Sequence, residues 1–552
     1  MHTRLRCARR DTRSSRRRVP SRRSDGAPNE PPHVVAMTDP PESRRRRRRQ
    51  APVRREGRSG AGRVDYRRLV NPFEPLRVLA DEAVADIHEA ALRLLSQGGV
   101  RVLLAEARRR FRDAGAGVDE ETQMVLLDPD LVGSAIASAP AEFTITPRSA
   151  ERTVTVGGRS VVMVGVGGPP HTMDLDRGRR TGNLEDFEHF VRLTQHYDVI
   201  HTNNPAVEPQ DIPVPVRHLE VTKAQLLLTD KVPFVFARGR GQVTDCMEMA
   251  RIAHGMTWDE FTAAPHVHTV INTNSPRQID VPMCLGLIQF AELNQVCVVT
   301  PFTLSGAMAP VTLAGALTLQ HAEAMAAITL TQLVRPGAPV VYGAFTSNVD
   351  MRSGAPAFGT PEAVKAALAS GQLARFLGLP WRSSGVNTSN APDAQAGYET
   401  MTNMMGAVLG GANVVIHAAG WLESGLSASL EKMVLDVEML QIIAEVFQPV
   451  AAGEEDIALE AILGVPPGGH FFGADHTMAR YDTAFYEPIV FSRQNFGQWT
   501  EAGSLDAAQR ANAVWKRVVA DFEAPPIDTA LRDELEEFVA RRAAEGGAPP
   551  ES

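Results

Sequence analysis

From Asn183 to about residue 470 the chain alternates between two patterns. Short runs rich in Val, Ile, Phe and Thr are separated by longer stretches whose apolar residues recur at three- and four-residue spacing. Such runs read as buried strands, and the 3.6-residue pattern between them as amphipathic helix. Strands that alternate with helices make parallel βα units, because a parallel neighbour is reached only through a crossover. The strands expected are 200–203, 234–237, 267–272, 296–300, 340–345, 382–386 and 414–418, with a weaker eighth just before His470. One intervening helix, 360–377, carries its own punctuation: Thr360 as N-cap, Pro361 at the first helical position, then Gly378 and Pro380 to stop it. Eight alternations fit an α/β fold of the (β/α)8 TIM-barrel type. A doubly wound open sheet is the alternative. No Gly-x-Gly-x-x-Gly follows a strand and no Walker A pattern occurs, so neither dinucleotide nor nucleoside triphosphate binding is supported.

The barrel is expected over 184–500. Ahead of it, 64–183 reads as an extension of helices and β-hairpins. Ala83, Val84, Ile87, Ala90, Ala91, Leu94 and Leu95 keep helical spacing, two further helices follow near 105–114 and 129–139, and FTIT, TVTV and SVVMVG then break at glycines as hairpins do. GVGGPPHTMDL (165–175) reads as a turn-rich hairpin that makes His171 a modest site candidate. Residues 501–552 read as C-terminal helices with a frayed end. Residues 1–63 are dominated by Arg, Ser, Pro and Gly, which cannot bury a core, and are expected to be a disordered tail. Met37, ahead of the run Arg44–Arg49, is the expected native start.

Charge divides the same way. The net −8 splits into +15 over residues 1–70, which hold 22 Arg, and −23 over the remainder. An acidic body is not the profile of a nucleic-acid-binding domain. No run of eighteen apolar residues predicts a membrane span. Cys7, Cys246, Cys284 and Cys297 are scattered without a Cys-x-x-Cys, which argues against a disulfide framework and a structural zinc site and fits a reducing cytoplasm. Ser353, Ser389 and Ser424 lack a Gly-x-Ser-x-Gly context, so acyl transfer is not indicated.

The most informative stretch is 380–426. Two strand-like runs end in polar, Gly-rich segments, the arrangement by which a barrel presents chemistry at its strands' carboxyl ends. Within it, PDAQAGYE (392–399) and GWLESGL (420–426) resemble the trimethylamine methyltransferase family of corrinoid-dependent methyltransferases. APVTLAGAL (309–317), VRPGAPVVYGAF (334–345), DMRSGAPAFGTPEA (350–363) and GGHFFGADHT (468–477) resemble that family in the same order. The resemblance covers the chain from about Val64 onward. It implies transfer of a methyl group from nitrogen to the Co(I) corrinoid of a separate small protein. No Asp-x-His-x-x-Gly pattern suggests that the corrinoid is held tightly here.

Trimethylamine-using members of that family carry pyrrolysine, expected in the loop before PDAQAG. This loop reads NTSN (387–390), and no non-standard residue occurs. The resemblance therefore points to the branch without pyrrolysine, whose substrates are already cationic quaternary amines such as glycine betaine. A quaternary ammonium has no N–H to donate and is held by aromatic faces. Phe302, Tyr342, Phe345 and Trp421 lie at expected strand ends and are the aromatic candidates, with Phe471 and Phe472 after the eighth. Glu423 and Asp393 could place charge near the cation, or could instead satisfy free amides at helix N-termini. Gln395, Asn387 and Asn348 could orient a polar tail, and His470 and His476 could contact a carboxylate or the partner's corrinoid. Two other readings stay open: an enzyme of the same fold that uses folate or other C–N chemistry, and a non-catalytic barrel that binds quaternary amines. A homo-oligomer is compatible with either.

Overall fold

Continuous apolar runs become the strands of one mainly parallel, seven-stranded sheet. Val296–Val299 pairs with His268–Ile271 and Val340–Gly343, Val340–Gly343 with Trp381–Ser384, and Trp381–Ser384 with Val414–Ile416, all in parallel. Ser160–Met163 lies parallel to Val414–Ile416, in the register Val162 to Val414, and Leu69–Val70 closes that edge antiparallel. Single parallel bridges join Val164 to Thr202, Thr202 to Val232 and Phe234 to His268. The computed structural model describes residues 64–551, which belong to one compact unit. The expected Arg-rich tail lies outside the described residues.

Strand registry decides which side chains share a face. Val162, Val164, Val232, Val296, Val298, Val341, Val414 and Ile416 form one buried cluster, sealed by Ile145, Val154 and Val156 of the hairpin Glu142–Ile145/Val154–Gly157. Each fully buried Val contributes about 1.5–3 kcal/mol relative to exposure, so a one-residue slip of a single strand would forfeit several kcal/mol. The opposite face packs on helices. Leu313–Val334 is buried over most of its length, its polar Gln320, His321 and Glu323 included, as a helix enclosed on every side is.

The expected eighth strand before His470 does not form: Leu459–Gly464 is helical and no strand follows it up to His470. Its place beside 414–416 is taken by Ser160–Met163, which the glycine-broken pattern had assigned to a hairpin. The physical reason is legible afterwards. A run apolar at every position, VVMV, belongs to a strand buried on both faces, as parallel strands are. Expected strands 200–203 and 234–237 are reduced to the single bridges at Thr202 and Phe234.

Two accessory sheets extend the carboxyl side. Phe302–Ser305 runs parallel to Phe345–Val349, in the register Phe302 to Phe345. Trp421–Leu422, Ser427–Ser429, His171–Asp174 and Gly178–Thr181 make the other. Helix Ala507–Ala520 packs on Leu430–Val446, and Thr529–Ala544 packs through Leu535 and Val539 on Val214–Leu228 and Arg240–His254. Among the described residues no helix is long and apolar enough to cross a membrane.

Candidate functional site

The two accessory sheets bring their aromatic residues together. Phe302 and Phe345 lie with ring centroids 5.0 Å apart, Phe345 stacks on Phe358 at 5.3 Å, and Trp421 meets Phe345 edge-on at 6.3 Å. His417 completes the group, 4.2 Å from Trp421 and 6.0 Å from Phe345. Phe302, Phe345 and His417 stay half-buried, so the cluster opens outward. Aromatic faces of this kind attract a cation that has no N–H.

Beneath the cluster lies Arg382, from the strand Trp381–Ser384. Its register partners are Gly343 and Val414, so it points to the same face as the Val cluster, and its guanidinium sits 5.1 Å over Phe345. It is 1% exposed, and among the described residues it has no carboxylate partner: Nη1 donates to the carbonyl of Ala344 at 3.3 Å, and Nε has no partner. Burial alone pushes its pKa from the usual arginine value down to about 9. A buried cation without a counter-ion costs several kcal/mol, a cost that an anionic group placed against it would lower.

His417 adds a second donor. It ends the strand Val414–Ile416 in the left-handed region, φ 59°, a conformation that costs a non-glycine residue about 1 kcal/mol or more. The Gly167 amide donates to its Nδ1 at 3.3 Å, which leaves the proton on Nε2. Burial, then the neighbouring Arg382 charge, holds this imidazole neutral by lowering its pKa well below the usual value. Ser384 Oγ and Asn387 Oδ1 are also buried without partners.

Trp421 is fixed from behind. Its indole N–H donates to the carbonyl of Asn387 at 3.1 Å, and Asn387 Nδ2 donates back to the carbonyl of Trp421 at 2.5 Å and to Thr400 Oγ1 at 3.1 Å. Lys432 donates to Thr400 Oγ1 at 2.9 Å and pairs with Asp436, which accepts from the Gly420 amide at 2.9 Å. Lys432 and Asp436 are both buried, and desolvation raises the Asp436 pKa against the lowering effect of Lys432.

Of the residues singled out in the sequence, the structure thus brings together Phe302, Phe345 and Trp421, with Asn387 as the brace of Trp421. Glu423 is next along but faces away: Arg179 donates to it at 2.7 Å and Ser427 at 2.6 Å. Burial opposes its ionisation, but these bonds outweigh it and hold its pKa below the usual value. His171 belongs to this rim, its Nδ1 3.3 Å from Arg179. Asp393 is the N-cap of Ala394–Leu409, accepting from the Ala396 amide at 3.0 Å and from Ser389 Oγ at 2.9 Å. Gln395 is exposed and donates to Glu399 at 2.9 Å. Asn348 accepts from Thr360 Oγ1 at 3.0 Å.

Tyr342 does not join the cluster. It points to the helix-facing side, where its hydroxyl lies 2.9 Å from both His321 Nδ1 and Gln320 Nε2. His470 lies tilted beside exposed Phe472, ring centroids 5.6 Å apart, and His476 contacts the Glu455 carbonyl at 3.2 Å. With the strand before them absent, neither is carried to the strand ends. Sequence reasoning missed Phe358, His417 and Arg382. The signal for Arg382 was present: a lone charge inside a strand flanked by apolar and small residues demands an anion or a cavity. A separate 250 Å³ cavity, lined by Asn71, Phe73, Arg159, Arg375 and Trp381, lies at the amino ends of the strands, the side where such folds place stability rather than chemistry.

A mainly parallel α/β scaffold with polar and aromatic side chains converging at its strands' carboxyl ends defines a small-molecule site of the α/β enzyme type. The chain belongs to the trimethylamine methyltransferase (MTTB) family, whose model matches residues 43–547. It is 36% identical, over 85% of its length and 98% of the relative's, to a glycine betaine methyltransferase of Desulfitobacterium hafniense strain Y51. It is 29% identical, over 85% of its length and 94% of the relative's, to a trimethylamine methyltransferase of Desulfitobacterium hafniense strain DSM 10664 / DCB-2. The crystal structure of the Methanosarcina barkeri monomethylamine methyltransferase (MtmB) aligns over 83% of this chain and 97% of that one, with a TM-score of 0.42 at 12% identity.

Proposed function

We propose that this chain removes a methyl group from glycine betaine, or a close zwitterionic relative, and passes it to a reduced corrinoid on a separate small protein. The observation that carries the substrate is Arg382. A bare guanidinium beneath an aromatic cluster repels a simple cation but suits a zwitterion, with the carboxylate on Arg382 and the trimethylammonium among Phe302, Phe345 and Trp421. His417 Nε2–H is the second donor for that carboxylate. The greater similarity to a glycine betaine methyltransferase than to a trimethylamine methyltransferase supports the same choice.

The corrinoid supplies the nucleophile. The protein's own residues hold the ammonium rigidly, exclude water from it and leave one methyl facing outward at the half-buried edge of the cluster. The departing amine is neutral, so no proton transfer is needed and no general acid is assigned. Glu423, Asp393 and Gln395 act at the rim. Glu423 with Arg179 fixes the turn after Trp421, and Asp393 and Gln395 fix the loop 387–390, which offers no electrophilic group to activate a neutral tertiary amine. Among the described residues no group of three or more His, Cys, Asp or Glu is placed to hold a metal ion.

We read the sheet as a (β/α)8 barrel whose ring runs from 160–164 through the bridges at 202 and 232–234 to 268–271 and on to 414–416. The site then occupies the mouth at the strands' carboxyl ends, in a cytoplasmic enzyme. Incubation with glycine betaine and a reduced corrinoid protein should yield dimethylglycine by NMR, with none when the corrinoid is omitted. Dimethylglycine formed without corrinoid, with methylated folate accumulating, would move the reading to the folate alternative.

A further inference from the structure

The aromatic face and the buried charge meet at a single joint, residues 343–345. There the main strand Val340–Gly343 gives way to the accessory strand Phe345–Val349. Phe345 supplies the aromatic face. Ala344 holds the charge: its carbonyl accepts from Arg382 Nη1 at 3.3 Å, and its amide donates to the Arg382 carbonyl at 3.3 Å. Gly343 lets the joint press on the neighbouring strand, since a Cβ there would collide with the Val299 carbonyl and Thr300. Any turn of this joint therefore moves Phe345 relative to Arg382.

One buried side chain grips the joint on both sides. Successive strand residues alternate in direction, so Tyr342 and Thr346 face the helices while Phe345 faces the site. Gln320, fully buried in the helix Leu313–Val334, reaches both. Its Nε2 donates to the Tyr342 hydroxyl at 2.9 Å, and Thr346 Oγ1 donates to its Oε1 at 2.8 Å. A single amide thus spans the joint from the residue before it to the residue after it.

The bond directions around this amide agree with one another. Because the Tyr342 oxygen accepts from Gln320, its own proton goes to His321 Nδ1 at 2.9 Å. His321 is free to accept, since burial pushes its pKa down to about 3 and keeps it neutral. Because Thr346 donates to Gln320, Thr303 donates to Thr346. These two threonines are register partners, so the grip extends to the strand that carries Phe302. Ser370, from the helix Pro361–Phe376, donates to the same Gln320 oxygen at 3.0 Å. A buried network with its members satisfied in this way rigidifies one geometry, because leaving any of them unpaired is costly.

We propose that Gln320 is a positioning residue that acts as the site's ruler. It rests on the zwitterion reading given above. By fixing the joint, Gln320 sets the distance from Arg382 to the Phe345 face, and so selects a betaine with one methylene between carboxylate and ammonium. The guanidinium lies 5.1 Å from the Phe345 ring, a short separation that leaves little room for a longer spacer.

Calorimetry on the unaltered chain should show glycine betaine bound about tenfold or more tightly than β-alanine betaine, which has one further methylene. Gln320→Leu and Thr346→Val keep similar volume but break the grip, and should lose most of that preference. Thr346→Ser keeps the hydroxyl and should retain it. A merely structural role would lower the unfolding midpoint and leave the ratio of the two affinities unchanged. A preference intact in Gln320→Leu and Thr346→Val overturns the proposal, and so does one lost equally in Thr346→Ser. If neither of the first two variants folds, a crystal structure of the unaltered protein with glycine betaine decides. The carboxylate should sit on Arg382, the ammonium against Phe345, and both Gln320 bonds should stand. A Gln320 amide turned away from Tyr342 or Thr346 overturns the proposal. An unaltered chain that binds both betaines equally refutes the ruler alone, whereas one that binds neither refutes the substrate reading and the ruler with it.

Discussion

Replacing Arg382 by Met separates a ligand-binding charge from a structural one. The guanidinium is buried with a 3.3 Å bond to a carbonyl and no carboxylate partner among the described residues, and desolvation takes its pKa from the usual arginine value down to about 9. A depression of that size corresponds to roughly 5 kcal/mol of unfavourable burial as an upper figure. Methionine fills similar volume without that cost, so Arg382→Met should raise the unfolding midpoint, with a stabilisation of about 1–4 kcal/mol. Binding should change in the opposite sense. Truncating one member of a buried charge-assisted pair costs about 2–5 kcal/mol, which is some thirty- to several-thousand-fold in affinity for glycine betaine. Choline, which lacks the carboxylate, should bind no worse than before and should gain as the repulsion is removed. The assays are urea unfolding and titration calorimetry on the same preparations. Lower stability with unaltered betaine affinity would refute the reasoning and make Arg382 a structural group.

Trp421→Ala should weaken glycine betaine binding about five- to thirty-fold, the worth of a desolvated cation–π contact, measured by calorimetry. Asn387→Ala should reproduce part of that loss without touching the ligand, because it frees the indole held at 3.1 Å. Lys432→Met strands Asp436 and should destabilise the fold by about 3–5 kcal/mol in urea, and Lys432→Met with Asp436→Leu should recover most of it. Stability should also fall with acid. His201 and His268 are buried, with pKa values lowered from 6.5 to about 4 chiefly by desolvation, so the unfolded chain binds protons that the native state refuses. Their contribution is intact above pH 6.5 and is lost as pH falls towards 4, by up to roughly 3 kcal/mol each. A flat unfolding midpoint over that range would contradict it.

What the sequence displayed and what it hid have distinct physical causes. Continuous apolar runs at 296–299, 340–343 and 414–416 announce themselves because both faces of a parallel strand are buried. The same logic applied to SVVM, but the glycines around it mimic a hairpin, and local pattern carries no information about a partner 250 residues away. Phe302 and Phe345 were found because each opens a strand just beyond a main strand, which places both at one end of the sheet. Tyr342 failed on a parity that sequence alone does not set. In a strand buried on both sides either face accepts a tyrosine, and only the registry with Trp381 turns it towards His321. Asp393 shows the value of the plain alternative, since a carboxylate three residues before free amides is first of all a cap. Phe358 and His417 come from a strand-to-helix connection and a strand-end turn, where side-chain direction depends on backbone angles that composition does not specify.

The most direct test of the account is the spectrum of Co(I) corrinoid mixed with the protein and, in turn, glycine betaine, choline, tetramethylammonium and trimethylamine. The account predicts conversion to methyl-Co(III) with glycine betaine, little with the two cations that lack a carboxylate, and none with trimethylamine. Conversion with trimethylamine at a rate equal to that with glycine betaine would contradict it. That result would mean that neither the Arg382 charge nor the loop at 387–390 selects the methyl donor.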